Sequence, residues 1–207
     1  AVVFPDYFYG QINEAKQQYG TFSIPSTLAM ELLEATCQEM GRNGFKRIII
    51  VNGHGGNPQM IRYFIQNQLE KKRDYVVYFF DPKTPPEVAE QVNAMRKSPA
   101  STDMHGGENE TSSLLYLRPD VVRLERSNQE SGDNQQGLDL SSDLYTAIWW
   151  YAAYPNHYAG QGAVATAALG KILTDSKVAS LVKAIKAVKE DTTSLRLQSE
   201  YFERVKQ

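Results

Sequence analysis

Cysteine, histidine and long apolar runs are all scarce in this chain of 207 residues. The single Cys37 excludes an intrachain disulfide framework and a thiolate metal cluster. Its neighbours have helical character, which marks it as a small buried hydrophobe. No apolar run approaches the roughly 20 residues that a membrane helix needs. Charge of one sign is missing too: 22 Lys and Arg stand against 24 Asp and Glu, a formal net charge of -2. That balance argues against a surface built for nucleic acid or an anionic membrane, so neither is an expected partner. No signal-peptide pattern opens the chain, and cytoplasm is the expected compartment. The first residues, Ala1-Val2-Val3-Phe4-Pro5, carry no initiator Met and read as if the chain entered in mid-strand. What is present is ordinary for a globular protein, with 42% hydrophobic and 22% charged residues. The length supports one sizeable core, and without an internal repeat or clean linker a single domain over 1–207 is expected.

Strand and helix signals alternate through the first half, which predicts an α/β fold with a mostly parallel central sheet and helices on both faces. Val2–Phe4 is a short strand candidate. Ser26 opens a helix with Leu28, Leu32, Leu33, Ala35, Thr36 and Met40 at helical spacing, ending near Gly41 to Gly44. Ile48–Val51 is β-branched throughout, as a strand buried on both faces should be. A helix is expected over Pro58–Lys72, burying Ile61, Phe64, Ile65 and Leu69, with Asn57 as its cap. A second strand is expected over Tyr75–Phe80 and a helix from Pro86 to about Lys97. The second half is less regular. A helix over Glu110–Leu117 is followed by an Asn-, Gln- and Ser-rich excursion between Glu125 and Ser142. An aromatic patch of Trp149, Trp150, Tyr151, Tyr154, His157 and Tyr158 precedes a long or kinked helix over Ala163–Val188 and a final amphipathic one.

Two of the three histidines sit in glycine-flanked turns beside helix starts. The first turn is Asn52-Gly53-His54-Gly55-Gly56-Asn57, at the carboxyl end of the apolar strand, where open α/β sheets place their ligands. Glycines there let the backbone approach something small and leave the imidazole free to reach it. The second is His105-Gly106-Gly107-Glu108-Asn109-Glu110-Thr111-Ser112. Imidazole and carboxylate donors suit Zn, Mn or Fe(II), and a metal so held can activate water at neutral pH. Each residue also has a simpler reading. His54 fits a helix-terminal anion cradle, and Glu110 fits a carboxylate favoured by the helix macrodipole. Glu108 reads as a solvated or capping group and His157 as a surface-loop residue with some weight on a pocket role. The two tryptophans read as core or subunit contacts ahead of a substrate platform.

With both turns in hand the chain resembles the creatininase (creatinine amidohydrolase) family. Residues 52–57 match its Asn-Gly-His-Gly-Gly-Asn signature, and residues 105–112 are similar to His-Ala-Gly-x-x-Glu-Thr-Ser, with Gly106 in place of Ala. Gly44-Phe45-Lys46-Arg47, Leu117-Arg118-Pro119-Asp120-Val121-Val122 and Ala165-Thr166-Ala167 fit as well. The resemblance implies a three-layer α/β fold and a metal-dependent amidohydrolase that uses one or two divalent ions, Zn, Mn or Fe. Its action would be to cleave a C–N bond of a cyclic amide or formamide, a non-peptide small-molecule substrate. His54 and Glu110 would be metal ligands and His105 the general acid/base. Gly55, Gly56, Gly106, Gly107 and His157 would line the substrate. It also implies a homo-oligomer, with a hexamer among the forms the family suggests. The family's N-terminal strand and its Glu-x-His-Gly and Asp ligands have no counterpart in 1–207, so an upstream ligand segment is expected. Gly56 stands where creatinine-cleaving members can carry Glu, which points to a substrate other than creatinine. The alternative is a non-catalytic member of the fold, serving small-molecule binding or assembly.

Overall fold

The computed structural model describes residues 1–205. In chain order its main elements are α1 (Ser26–Arg42), β1 (Arg47–Val51), α2 (Pro58–Asn67), β2 (Val76–Phe80), α3 (Pro86–Met95), α4 (Glu108–Leu117), α5 (Trp149–Ala153), α6 (Ala167–Glu190) and α7 (Thr193–Val205), with short 3-10 turns between them. They form two compact units. One comprises 1–13, 22–82 and 180–207 as far as described, and the other 14–21 and 83–179.

The first unit is built on β1 and β2, which pair in parallel with Ile48 opposite Val77 and Ile50 opposite Phe79. Parallel neighbours need a crossover, and α2 supplies it. The core gathers Leu33 and Cys37 of α1, Ile48, Phe64 of α2, Tyr75 and Val77. Cys37 is 1% exposed, and burial pushes its thiol up to about 12, as befits an inert small hydrophobe. Beside this core Arg73 pairs with Glu34, and Gln68 donates to the same carboxylate. The α/β class is therefore as expected, with three local differences. Val2 and Val3 are exposed and form no strand, because no neighbour in the described residues pairs with them. Of Ile48–Val51 only Ile48 is buried, and Val51 is 55% exposed, since each strand has one partner and an open flank. The helix from Pro58 ends at Asn67 and tightens into a 3-10 turn over Gln68–Glu70.

In the second unit α4 lies against the start of α6. A Cβ on Gly170 would meet the Ser112 carbonyl oxygen at 1.8 Å, so only glycine admits this close approach. Ser112, fully buried, accepts a hydrogen bond from the Thr166 N–H at 3.0 Å. Trp150, Ala153, Tyr154 and Ala159 make a second small core. No helix among the described residues is long and apolar enough to cross a membrane.

Phe64 is 2% exposed at the centre of the first core. Phe64→Ala should cost about 3–5 kcal/mol, measured as a lowered midpoint in urea unfolding followed by far-UV circular dichroism.

Candidate functional site

The first glycine turn is organised by asparagines. The Asn52 side chain accepts from the His54 N–H at 3.1 Å and donates to the His54 carbonyl at 2.7 Å, bracing the turn from both sides. Asn57 donates to Asn52 Oδ1 and accepts from the Gln11 N–H at 2.9 Å. The side chain of Asn57 makes no cap hydrogen bond to α2, contrary to expectation. Its backbone is already helical (φ -77°, ψ -27°), which turns the side chain away from the helix N–H groups, and it braces the turn instead. His54 is half-buried in this turn, and Gly53 and Gly55 have open space where a side chain would stand.

The second turn, in the other unit, is tied down at several points. His105 exchanges backbone hydrogen bonds with Ala159, each 2.9 Å, and Ala159 is wholly buried. Gly106 has φ +65°, a left-handed conformation that favours glycine. Its N–H donates to Glu110 Oε2 at 2.7 Å, and its carbonyl accepts from Thr111 Oγ1 at 2.8 Å. A Cβ on Gly107 would lie 2.1 Å from Asp103 Oδ1, so the space beside that glycine belongs to the Asp103 carboxylate. Asp103 pairs with Arg96 at 2.7 Å, the two side chains being 2% and 11% exposed, and accepts the Asn109 N–H at 3.1 Å. Burial pushes the Asp103 carboxyl above its ordinary value despite the Asn109 amide and the Arg96 charge.

Glu108 is not a solvated group. It is 1% exposed and accepts three donors: the Lys97 N–H at 2.9 Å, the Ser98 N–H at 2.7 Å and Ser98 Oγ at 2.7 Å. Burial alone would raise its carboxyl, but these hydrogen bonds and the Arg96 charge outweigh it, and the group is held below the usual range.

His105 and Glu110 face each other across this turn, Nδ1 to Oε2, at 3.7 Å, with side chains 40% and 60% exposed. The His157 ring lies 4.2 Å from that of His105, centroid to centroid. Trp150 Nε1–H donates to His157 Nδ1 at 2.7 Å. His105, Gly106, Glu110 and His157 are thus brought together in the second unit, while His54, Gly55 and Gly56 belong to the first. Trp150 belongs to the core, as expected, and Trp149 is 36% exposed. Sequence reasoning missed Arg96, Asp103 and the buried role of Glu108. The available signal was three charged residues hemming one glycine turn, which reads from sequence as a polar loop. A groove of about 440 Å³ in the first unit, lined by Arg62, Ile65, Val77, Phe79 and Gln198 among others, includes none of the candidate residues.

Among known proteins, the Creatininase family (creatinine amidohydrolase) matches residues 1–185. The mycofactocin precursor peptide peptidase of Mycolicibacterium smegmatis is 35% identical over 125 residues, which is 59% of this chain and 42% of that protein. The creatinine amidohydrolase of Pseudomonas putida is 31% identical over 141 residues, 61% of this chain and 53% of that protein. The chain therefore spans about half the length of the curated relatives it matches. A solved creatinine amidohydrolase superposes with a TM-score of 0.70 at 21% identity, covering 90% of this chain and 74% of that one.

Glu108→Ala should destabilise the protein by about 2–3 kcal/mol at neutral pH, because the buried Ser98 N–H and the part-buried Lys97 N–H lose a charged acceptor. The sign with pH follows from the depressed carboxyl. Its stabilisation is complete above the ordinary glutamate value of about 4.3 and is lost as pH falls through the lower folded-state value. Urea unfolding at pH 7 and pH 3 checks both, the gap between variant and wild type narrowing at the lower pH.

Proposed function

Because the chain belongs to the creatininase (creatinine amidohydrolase) family, we propose that it is a hydrolase of a C–N bond in a cyclic amide or formamide, with a substrate other than creatinine. The observation that carries this reading is the apposition of His105 and Glu110 at 3.7 Å on a turn fixed by Ala159 and Glu110 itself. A general acid must stand ready beside the bond it serves, in a defined orientation. With Nδ1 facing Glu110, His105 delivers a proton from Nε2 to the leaving nitrogen as the C–N bond breaks. The attacking water returns a proton to His105, and the products are a carboxylic acid and an amine. Glu110, facing Nδ1, orients the ring so that Nε2 is turned away from it. Gly55, Gly56, Gly106 and Gly107, together with His157, form the proposed lining for substrate.

A divalent metal is part of the proposal: Zn, Mn or Fe, as one or two ions, with His54 and Glu110 as ligands. Its support is that solved creatininases include a Zn–Zn type and a Mn form, at 21% and 20% identity. The described residues do not complete such a site, since no three His, Cys, Asp or Glu side chains among them are grouped to hold a metal ion. A hydrolytic zinc takes about three protein ligands and an open position. When bound, the ion would supply Lewis-acid activation of the attacking water.

The two units are proposed to make one family domain, as the family matches residues 1–185 continuously. A homo-oligomer is proposed on the family resemblance. A cytoplasmic setting remains the proposed compartment.

A second reading, cleavage of a short peptide, is favoured by one observation: the mycobacterial relative is a peptidase of a precursor peptide. Protein purified with Zn²⁺ or Mn²⁺, tested by elemental analysis and offered cyclic amides, formamides and short peptides, decides among the readings. Bound metal with amine release from a cyclic amide or formamide supports the proposal. Turnover of peptides alone supports the second reading. Neither metal nor turnover supports a non-catalytic binding or assembly role. In an active preparation His105→Ala should keep its metal and lose roughly 10²–10⁴ in kcat, whereas His54→Ala should lose both metal and activity with little change in Tm.

A further inference from the structure

His157 combines a left-handed backbone with a ring packed against His105. Its φ is +63°, a region where non-glycine residues are uncommon and asparagine, aspartate and histidine are the enriched types. Its ring makes two contacts that bear on His105. Trp150 donates its indole N–H to Nδ1 at 2.7 Å, and an indole nitrogen can only donate. Nδ1 therefore presents a lone pair, and the proton of the neutral ring sits on Nε2. The same ring lies 4.2 Å from that of His105, tilted by 54°, while Trp150 meets His105 edge-on at 6.2 Å and 88°. The backbone supplies a second constraint, for Ala159, two residues on, is bridged to His105 in both directions.

We propose that His157, locked in its Nε2–H tautomer by Trp150, is a positioning residue that fixes the ring plane of His105. The proposal rests on the reading of His105 as the proton carrier. A purely structural residue at 157 needs only to tolerate left-handed backbone and accept the indole proton. Asparagine does both, with its side-chain oxygen standing near the place of Nδ1. What asparagine lacks is the imidazole face against His105, and that face is the feature the proposal assigns.

The test uses ¹⁵N- and ¹³C-histidine-labelled protein, in which three histidines give a spectrum simple enough to assign by single replacements. In the wild type, His157 should show an unprotonated Nδ1 coupled to the Trp150 indole proton, and His105 should show one tautomer and an ordered ring. Trp150→Phe should abolish the coupling, mix the His157 tautomers and lower the ring order of His105. His157→Asn should keep the indole proton hydrogen-bonded and the unfolding midpoint within a few degrees, yet also lower the ring order of His105. A protonated Nδ1 on His157 in the wild type overturns the proposal. So does a His105 ring that stays equally ordered in both variants. Should one variant fail to fold, the other still decides. None of these readouts needs a substrate, so they fail separately from the hydrolase reading.

Discussion

Buried carboxylates at the entrance to α4 are the constraint on which the His105 turn depends. A charge taken out of water is costly unless it is paired and hydrogen-bonded. Asp103 meets that requirement with Arg96 and the Asn109 amide, and Glu108 meets it with Lys97 and Ser98. The segment from Arg96 to Asp103 is thereby tied at both ends to the first turn of α4. To relax it, a buried charge would have to lose its partners. The helix start adds a favourable field for Glu108 and Glu110 alike.

This division of labour explains why three carboxylates lie within eight residues of one another. Asp103 and Glu108 are buried and spent on structure, while Glu110 is 60% exposed and lies beside His105. The glycines divide in the same way. Gly106 is required by its left-handed backbone, and Gly107 by the Asp103 carboxylate that fills the space beside it. Thr111 and Ser112 complete the motif by binding the Gly106 carbonyl and the Thr166 amide. A signature that reads as chemistry is therefore in large part scaffold, and the scaffold is what holds the chemical pair in place.

The class of fold and most helices were legible in the sequence because periodicity and helix-end residues act locally. Leu33 and Cys37, Phe64, and the strand pair met as their spacing implied. Pairing was less legible, since a strand exists only with a neighbour, and Val2–Phe4 has none in the described residues. Asn57 shows a subtler limit: its type and position suited a cap, but a contact with Gln11, 46 residues away, claimed its side chain. The same applies to Glu108, whose burial depends on how residues 96–98 fold back over it. His105 and Glu110 lie close because they are five residues apart at one turn and the helix that follows it. The lock of Trp150 on His157 was not legible, because composition alone leaves the direction of an indole N–H open.

Hydrogen exchange on individual amides tests the central constraint most directly. If buried carboxylates hold the His105 turn, the N–H groups of Lys97, Ser98 and Asn109 should exchange as slowly as those in the body of α4, although two of the three lie outside any helix. Exchange of these amides at the rate of an open loop, with α4 still protected, would contradict the account.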